Sequence, residues 1–173
     1  MISKHADGHF YNPTKGNLAF DQMVKELFNY IKEKPEKKYE IVVGCDSCSG
    51  DKVSFPVAIV ILRIGEGGIF FLKRIKYPLS QKKKFIDYHQ RILQEVLLSC
   101  EIALLLKEAI FKKIKSTSSN LNYQFRYIHA DVGEKGRTKD MIREVVGMIK
   151  SNGFEAKIKP ESFAASVVAD RFT

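Results

Sequence analysis

The run Tyr39-Glu40-Ile41-Val42-Val43-Gly44-Cys45-Asp46-Ser47 decides the fold. Tyr39 to Cys45 is mostly apolar and β-branched and has the length of a strand. An acid, Asp46, stands directly at its end. A second run, Tyr123 to Ala130, reads the same way and closes on His129-Ala130-Asp131-Val132-Gly133. If these strands are parallel neighbours, their carboxyl ends share one sheet edge about 4.8 Å apart, and Asp46 and Asp131 can share a cation. Ligands of open α/β sheets sit at that edge. A single Asp after a strand is an ordinary turn former, so it is the pair, brought together by topology, that makes a candidate site.

Outward from these runs, Ser54 to Ile64 and Ile69 to Tyr77 read as two strands joined through Gly65, Gly67 and Gly68, with Pro56 tolerable only near a strand start, edge or bulge. Gln81 to Lys115 has helical periodicity without Gly or Pro, and its length predicts a bend or break. Ser116 to Asn122 is a polar loop. Thr138 caps a helix whose buried stripe is Met141, Ile142, Val145, Val146 and Ile149, and Asn152-Gly153 stops it. Phe154 to Lys159 is a short fifth strand, and Pro160-Glu161-Ser162 opens a terminal helix to Phe172. At the other end, Leu18, Met23, Val24, Leu27, Phe28 and Ile31 form a helix after Asn17, its expected cap, and Lys32 to Lys38 is a charged connection.

Three tightly joined strands make an antiparallel meander, while strands separated by helices return parallel through right-handed crossovers. The expected architecture is α/β: a mixed five-stranded sheet, order 3-2-1-4-5 counted from Tyr39, with helices on both faces. Residues 1–173 are expected to form one domain, with 1–38 as an N-terminal helical extension.

The chain has 173 residues and is 45% hydrophobic, enough for a substantial core. Its longest apolar run, Val57 to Leu62, is too short to cross a bilayer, and Met1 to Phe10 lacks a signal peptide's apolar region, so a cytoplasmic protein with no membrane association is expected. Three cysteines do not make a disulfide framework. A net charge of +9 favours an anionic partner, first of all DNA or RNA, because Lys and Arg neutralise phosphates. A solvated basic face is the plainer explanation of the same charge. The chain lacks a Gly-rich Lys-Ser/Thr phosphate loop, a Gly-x-Ser-x-Gly elbow and a His-Glu-x-x-His pair. Cys45 and Cys48, with His129 on a neighbouring strand, offer a weaker redox or zinc reading, because a structural zinc needs four ligands.

Two further acids are candidates. Asp170 stands among Val167, Val168, Ala169 and Phe172, an unusual setting for a charge, in a helix that returns past the same edge. The long helix also starts near that edge, so its early acids are favoured. Glu95 is the choice there, with Asp87 and Glu101 as alternatives. Glu101 has Leu97, Leu98, Leu104 and Leu105 at helical spacing, which fits a partly buried structural acid.

The order of elements, with acids at the Tyr39 strand, the long helix, the Tyr123 strand and the last helix, resembles the ribonuclease-H-like superfamily. More narrowly, Phe10-Tyr11-Asn12 through Lys15-Gly16-Asn17, Gly44-Cys45-Asp46-Ser47, Gly153-Phe154-Glu155-Ala156-Lys157-Ile158-Lys159-Pro160 and Ala165-Ser166-Val167-Val168-Ala169-Asp170-Arg171 resemble the YkuK-like family of uncharacterised bacterial proteins. The superfamily resemblance implies a nuclease that uses two divalent ions, Mg²⁺ or Mn²⁺, with Asp46, Glu95, Asp131 and Asp170 at its acidic positions. Ser47, Lys15, Arg137 and Arg171 are the candidate substrate contacts, with Lys82, Lys83, Lys84 and Arg91 as further backbone-binding cations and His5, His9 or Tyr11 closing over the site. The alternative is a non-catalytic nucleic-acid-binding or regulatory module on the same fold.

Overall fold

The computed structural model describes residues 7–47, 54–78, 80, 85–117 and 121–173. Its elements are β1 (Phe10–Asn12), β2 (Gly16–Leu18), α1 (Phe20–Lys32), β3 (Tyr39–Cys45), β4 (Ser54–Arg63), β5 (Gly67–Lys76), α2 (Tyr88–Thr117), β6 (Tyr123–His129), α3 (Ile142–Ser151) and β7 (Glu155–Lys157). A π-helical turn, Ala164–Ala169, runs into a 3-10 turn, Asp170–Phe172.

Among the described residues the sheet is seven-stranded, in the order β2-β1-β5-β4-β3-β6-β7, and not five-stranded as the sequence pattern predicts. The five expected strands lie side by side within it. The addition comes from the segment before Lys38, which carries a β-hairpin as well as a helix. Asn12 Oδ1 accepts the N–H groups of Thr14 at 3.0 Å and Lys15 at 2.9 Å, and Gly16 takes the positive φ of 73° that closes the turn. Asn17, expected to cap α1, therefore lies in β2. The cap is Ala19, whose N–H donates to Gln22 Oε1 at 2.8 Å.

Strand alternation divides the core in two. Ile41, Val43, Phe55, Val57, Ile59, Ile61, Phe71 and Ile128 face α1, α2 and α3, which bury Met23, Leu27, Phe28, Leu98, Ile102, Leu106, Val145 and Ile149 against them. Val42, Ala58, Val60 and Leu72 face the other way, onto Ala164 and Ala169 of the terminal helical segment. Helices thus cover both faces. α2 runs unbroken for 30 residues, about 45 Å at 1.5 Å per residue, without the expected break.

Gly44 pairs with His129 across the parallel β3–β6 ladder, and His129 pairs with Lys157 across β6–β7. The carboxyl ends of three neighbouring strands therefore meet at one edge. Gly44 also lets the terminal segment reach the sheet: a Cβ there would stand 2.6 Å from the Ala165 nitrogen and 2.9 Å from the Ala164 carbonyl carbon.

Candidate active site

Asp46 and Asp131 each lie two residues beyond the Gly44–His129 pair, at the same level of the shared edge. Asp46 N–H donates to the Pro56 carbonyl at 3.2 Å, which fixes its backbone against β4. Asp170 reaches this edge because the π turn presses on Gly44, and its N–H donates to Ala165 O in the wide π register. Its carboxyl group lies close enough to that of Asp46 to favour a proton on Asp46. Burial first, then the charges of Asp131 and Asp170, push Asp46 up to about 6, against the opposing pull of the Ser47 N–H.

Glu95 comes from the second turn of α2 and is only 4% exposed. Ser47 Oγ donates to its Oε1 at 2.5 Å. Burial pushes Glu95 up to about 8; the Ser47 hydrogen bond opposes the rise, the charges of Asp46 and Asp131 add to it, and Arg91 pulls it down. Four carboxylates thus act on one another here, two of them held far above the ordinary carboxylate range.

The alternatives on α2 fall elsewhere. Asp87 is spent as a cap: its Oδ1 accepts the His89 N–H at 3.2 Å and its carbonyl accepts the Arg91 N–H at 3.2 Å. Glu101 acts on Tyr77 and Cys100. Six residues at about 100° each turn it roughly 120° away from Glu95's direction on the helix.

Lys159 is a site residue that the search for acids overlooks. Its Nζ lies 3.0 Å from Asp131 Oδ2. Burial works against its charge, but the Asp131 hydrogen bond and the charges of Asp131, Tyr88 and Asp46 carry its pKa upward. The signal was available, because Lys159 extends the fifth strand as Asp131 extends the fourth. Tyr88, at the start of α2, also faces the cluster, and burial followed by Glu95 and Asp131 raises its phenol.

His129, one level below the acids, is buried. Its Nδ1 accepts the Ala164 N–H at 3.1 Å, and its ring meets that of Phe163 edge-on at 4.7 Å. Burial pushes it down to about 4, so the ring is neutral and pins the terminal segment. The zinc reading is not supported, since Cys45 belongs to the core of the opposite sheet face and burial holds its thiol well above its ordinary value. Cys48, like His5 and Lys82 to Lys84, lies outside the described residues.

Among the expected substrate contacts, Ser47 is committed to Glu95. Arg137 and Arg171 are exposed, the first in the loop after Asp131 and the second beside Asp170. Lys15 is not brought to the site. β1 runs antiparallel to β5, so its turn leaves in the opposite direction, where Lys15 pairs with Glu26 at 3.2 Å.

Among the described residues, no three His, Cys, Asp or Glu side chains converge closely enough to ligate an ion as they stand. Glu95 is turned to Ser47 and Asp131 to Lys159. The donor set nevertheless fits a hard cation. It is all carboxylate, Asp131 Oδ1 is buried without a hydrogen bond, and the burial and neighbouring charges that raise Asp46 and Glu95 are both offset by a divalent ion. Also among the described residues, no helix is long and apolar enough to cross a membrane.

A fold of this order, with acids at these strand ends, defines a class, and comparison with known families agrees: the model for Ribonuclease H-like proteins matches residues 22–173. The chain belongs to the ribonuclease H-like family. It is similar to the uncharacterized protein YkuK of Bacillus subtilis (strain 168), with 30% identity over 168 residues, covering 95% of this chain and 96% of that one. The match begins inside α1, ahead of the Tyr39 strand from which the fold was read. No solved structure matches the chain.

Proposed function

We propose that the protein hydrolyses a phosphodiester bond of nucleic acid with the help of Mg²⁺ or Mn²⁺, held by Asp46, Glu95, Asp131 and Asp170. The observation that carries this reading is the crowding of four carboxyl groups at one strand edge, where Asp131 and Asp170 act on Asp46 and Glu95 is buried. Folding alone has no use for such repulsion. A bound divalent ion supplies electrophilic stabilisation of phosphoryl oxygens and eases deprotonation of an attacking water.

The remaining work belongs to the chain's own groups. Ser47 holds the Glu95 carboxyl in place, so that on losing its proton the oxygens already face the edge. Gly44 and His129 seat the segment that delivers Asp170. Arg137, exposed in the loop after Asp131, and Arg171, exposed next to Asp170 in the chain, would take the sugar-phosphate backbone, in keeping with the chain's +9 charge.

Labelled single-stranded and duplex DNA and RNA, hybrids and branched junctions, incubated with the protein and its Asp46→Asn variant, test the proposal. Cleavage that requires both the divalent ion and Asp46 supports it. Tight nucleic-acid binding with no cleavage of any substrate turns the reading to a binding module on the same fold.

A further inference from the structure

Asp46, Asp131 and Lys159 occupy equivalent positions on three adjacent parallel strands, each two residues past the Gly44, His129 and Lys157 level. Lys159 is held there from three directions. Its N–H donates to Val132 O at 2.8 Å, its Cβ passes 3.1 Å from where a Cβ on Gly133 would stand, and its Nζ meets Asp131 Oδ2 at 3.0 Å. Gly133 is in turn fixed by donating its N–H to Thr138 Oγ1 at 3.1 Å. An ordinary surface lysine has no such seat. The pair is only partly exposed, with 49% of the lysine side chain and 20% of the aspartate side chain accessible, so solvent reaches the ammonium while the carboxylate lies beneath it.

We propose that Lys159 is a built-in cation of the carboxylate site: by holding the Oδ2 oxygen of Asp131 it takes the place of a second divalent ion, so the site binds one ion, and its ammonium meets a phosphate oxygen of the substrate. This rests on the site assignment above and differs from the two-ion expectation drawn from the family resemblance. The charge count agrees. With all four carboxylates ionised, Lys159 and Arg91 leave a formal charge of two negatives, which one divalent ion cancels. The oxygens agree as well, since Oδ1 of Asp131 is buried and free of hydrogen bonds while Oδ2 is committed to the lysine. Lys159 is thus a positioning residue for Asp131 and a cationic contact for the substrate.

Calorimetric titration of Mn²⁺ into the full chain, without nucleic acid, separates this proposal from the reading beneath it. The expected result is one Mn²⁺ per wild-type chain, loss of that binding in Asp46→Asn, and in Lys159→Met either a second Mn²⁺ or a first bound at least about tenfold more tightly, because a repelling cation has gone. Lys159→Arg, which keeps the charge, should titrate like wild type. Mn²⁺ electron paramagnetic resonance gives an independent readout, an uncoupled ion in wild type and a coupled pair where two bind. Two ions in the wild-type chain, or a Lys159→Met titration identical to wild type, overturn the role of Lys159 and leave the carboxylate site standing. No Mn²⁺ binding by the wild type overturns both.

Discussion

Replacing Glu95 by Gln should make the protein more stable at neutral pH. The folded chain holds the Glu95 proton up to about pH 8, whereas an unfolded chain releases it near 4.5. Between those values the folded state binds more protons than the unfolded one, so stability falls as pH rises, by about 1.4 kcal/mol per unit. At pH 7 the accumulated cost is about 3 kcal/mol, a large share of the stability of an ordinary domain. Gln keeps an acceptor for Ser47 Oγ and has no charge to suppress. Urea unfolding from pH 4.5 to 8 should therefore give a Gln variant that matches wild type at the acid end and exceeds it by up to about 3 kcal/mol at pH 7. Asp46, raised to about 6, adds a slope of the same sign below that pH in both proteins. Wild-type and variant curves that run parallel, or a variant less stable at pH 7, would refute the account of Glu95 as a buried acid kept at a cost.

Added Mn²⁺ should raise the melting temperature of wild type more at pH 8 than at pH 5, and that pH dependence should shrink in Glu95→Gln, as differential scanning fluorimetry can follow. Ser47→Ala removes the hydrogen bond that favours the ionised form and should move the Glu95 transition to higher pH in the same unfolding series. Gly44→Val forces side-chain atoms into the Ala164 and Ala165 backbone; we expect a loss of about 3 kcal/mol and, by hydrogen exchange, faster opening of residues 164–172 than of β3. His129 titrates with the opposite sign, because its folded value near 4 lies below the ordinary 6.5, so stability rises with pH between them. His129→Gln should flatten that acid limb.

The parts of the site legible in the sequence are those governed by strand period and direction. Asp46 and Asp131 follow apolar runs whose pairing is dictated by the connecting helix, and the β3–β6 register places them level. Distance along the helix sets Asp87 and Glu95 ahead of Glu101, while the structure separates the first two on other grounds: Asp87 is consumed in capping, which a sequence shows only once the helix start is known. Lys159 is hidden by charge, because a pattern of carboxylates does not include a cation at the same level of the edge. The hairpin was hidden by brevity, since two three-residue strands carry too few alternations to reveal a period, and β1 joins β5 through the single Tyr11–Leu72 pairing. The same reversal of strand direction misplaced Lys15. In the terminal segment the apolar residues read as an ordinary helix, and the wide π register that presents Asp170 has no signature in such a short pattern.

That hairpin also bears on the open edge of the sheet. Without β1, the ten-residue β5 would form a border of the sheet with a long row of unpaired backbone donors and acceptors, open to strand exchange with a neighbouring molecule. With it, that row is interrupted where Tyr11 pairs with Leu72, and the outermost strands among the described residues, β2 and β7, are three residues each. A hairpin without a share in the carboxylate chemistry thus breaks up the row of backbone groups that an added strand would need.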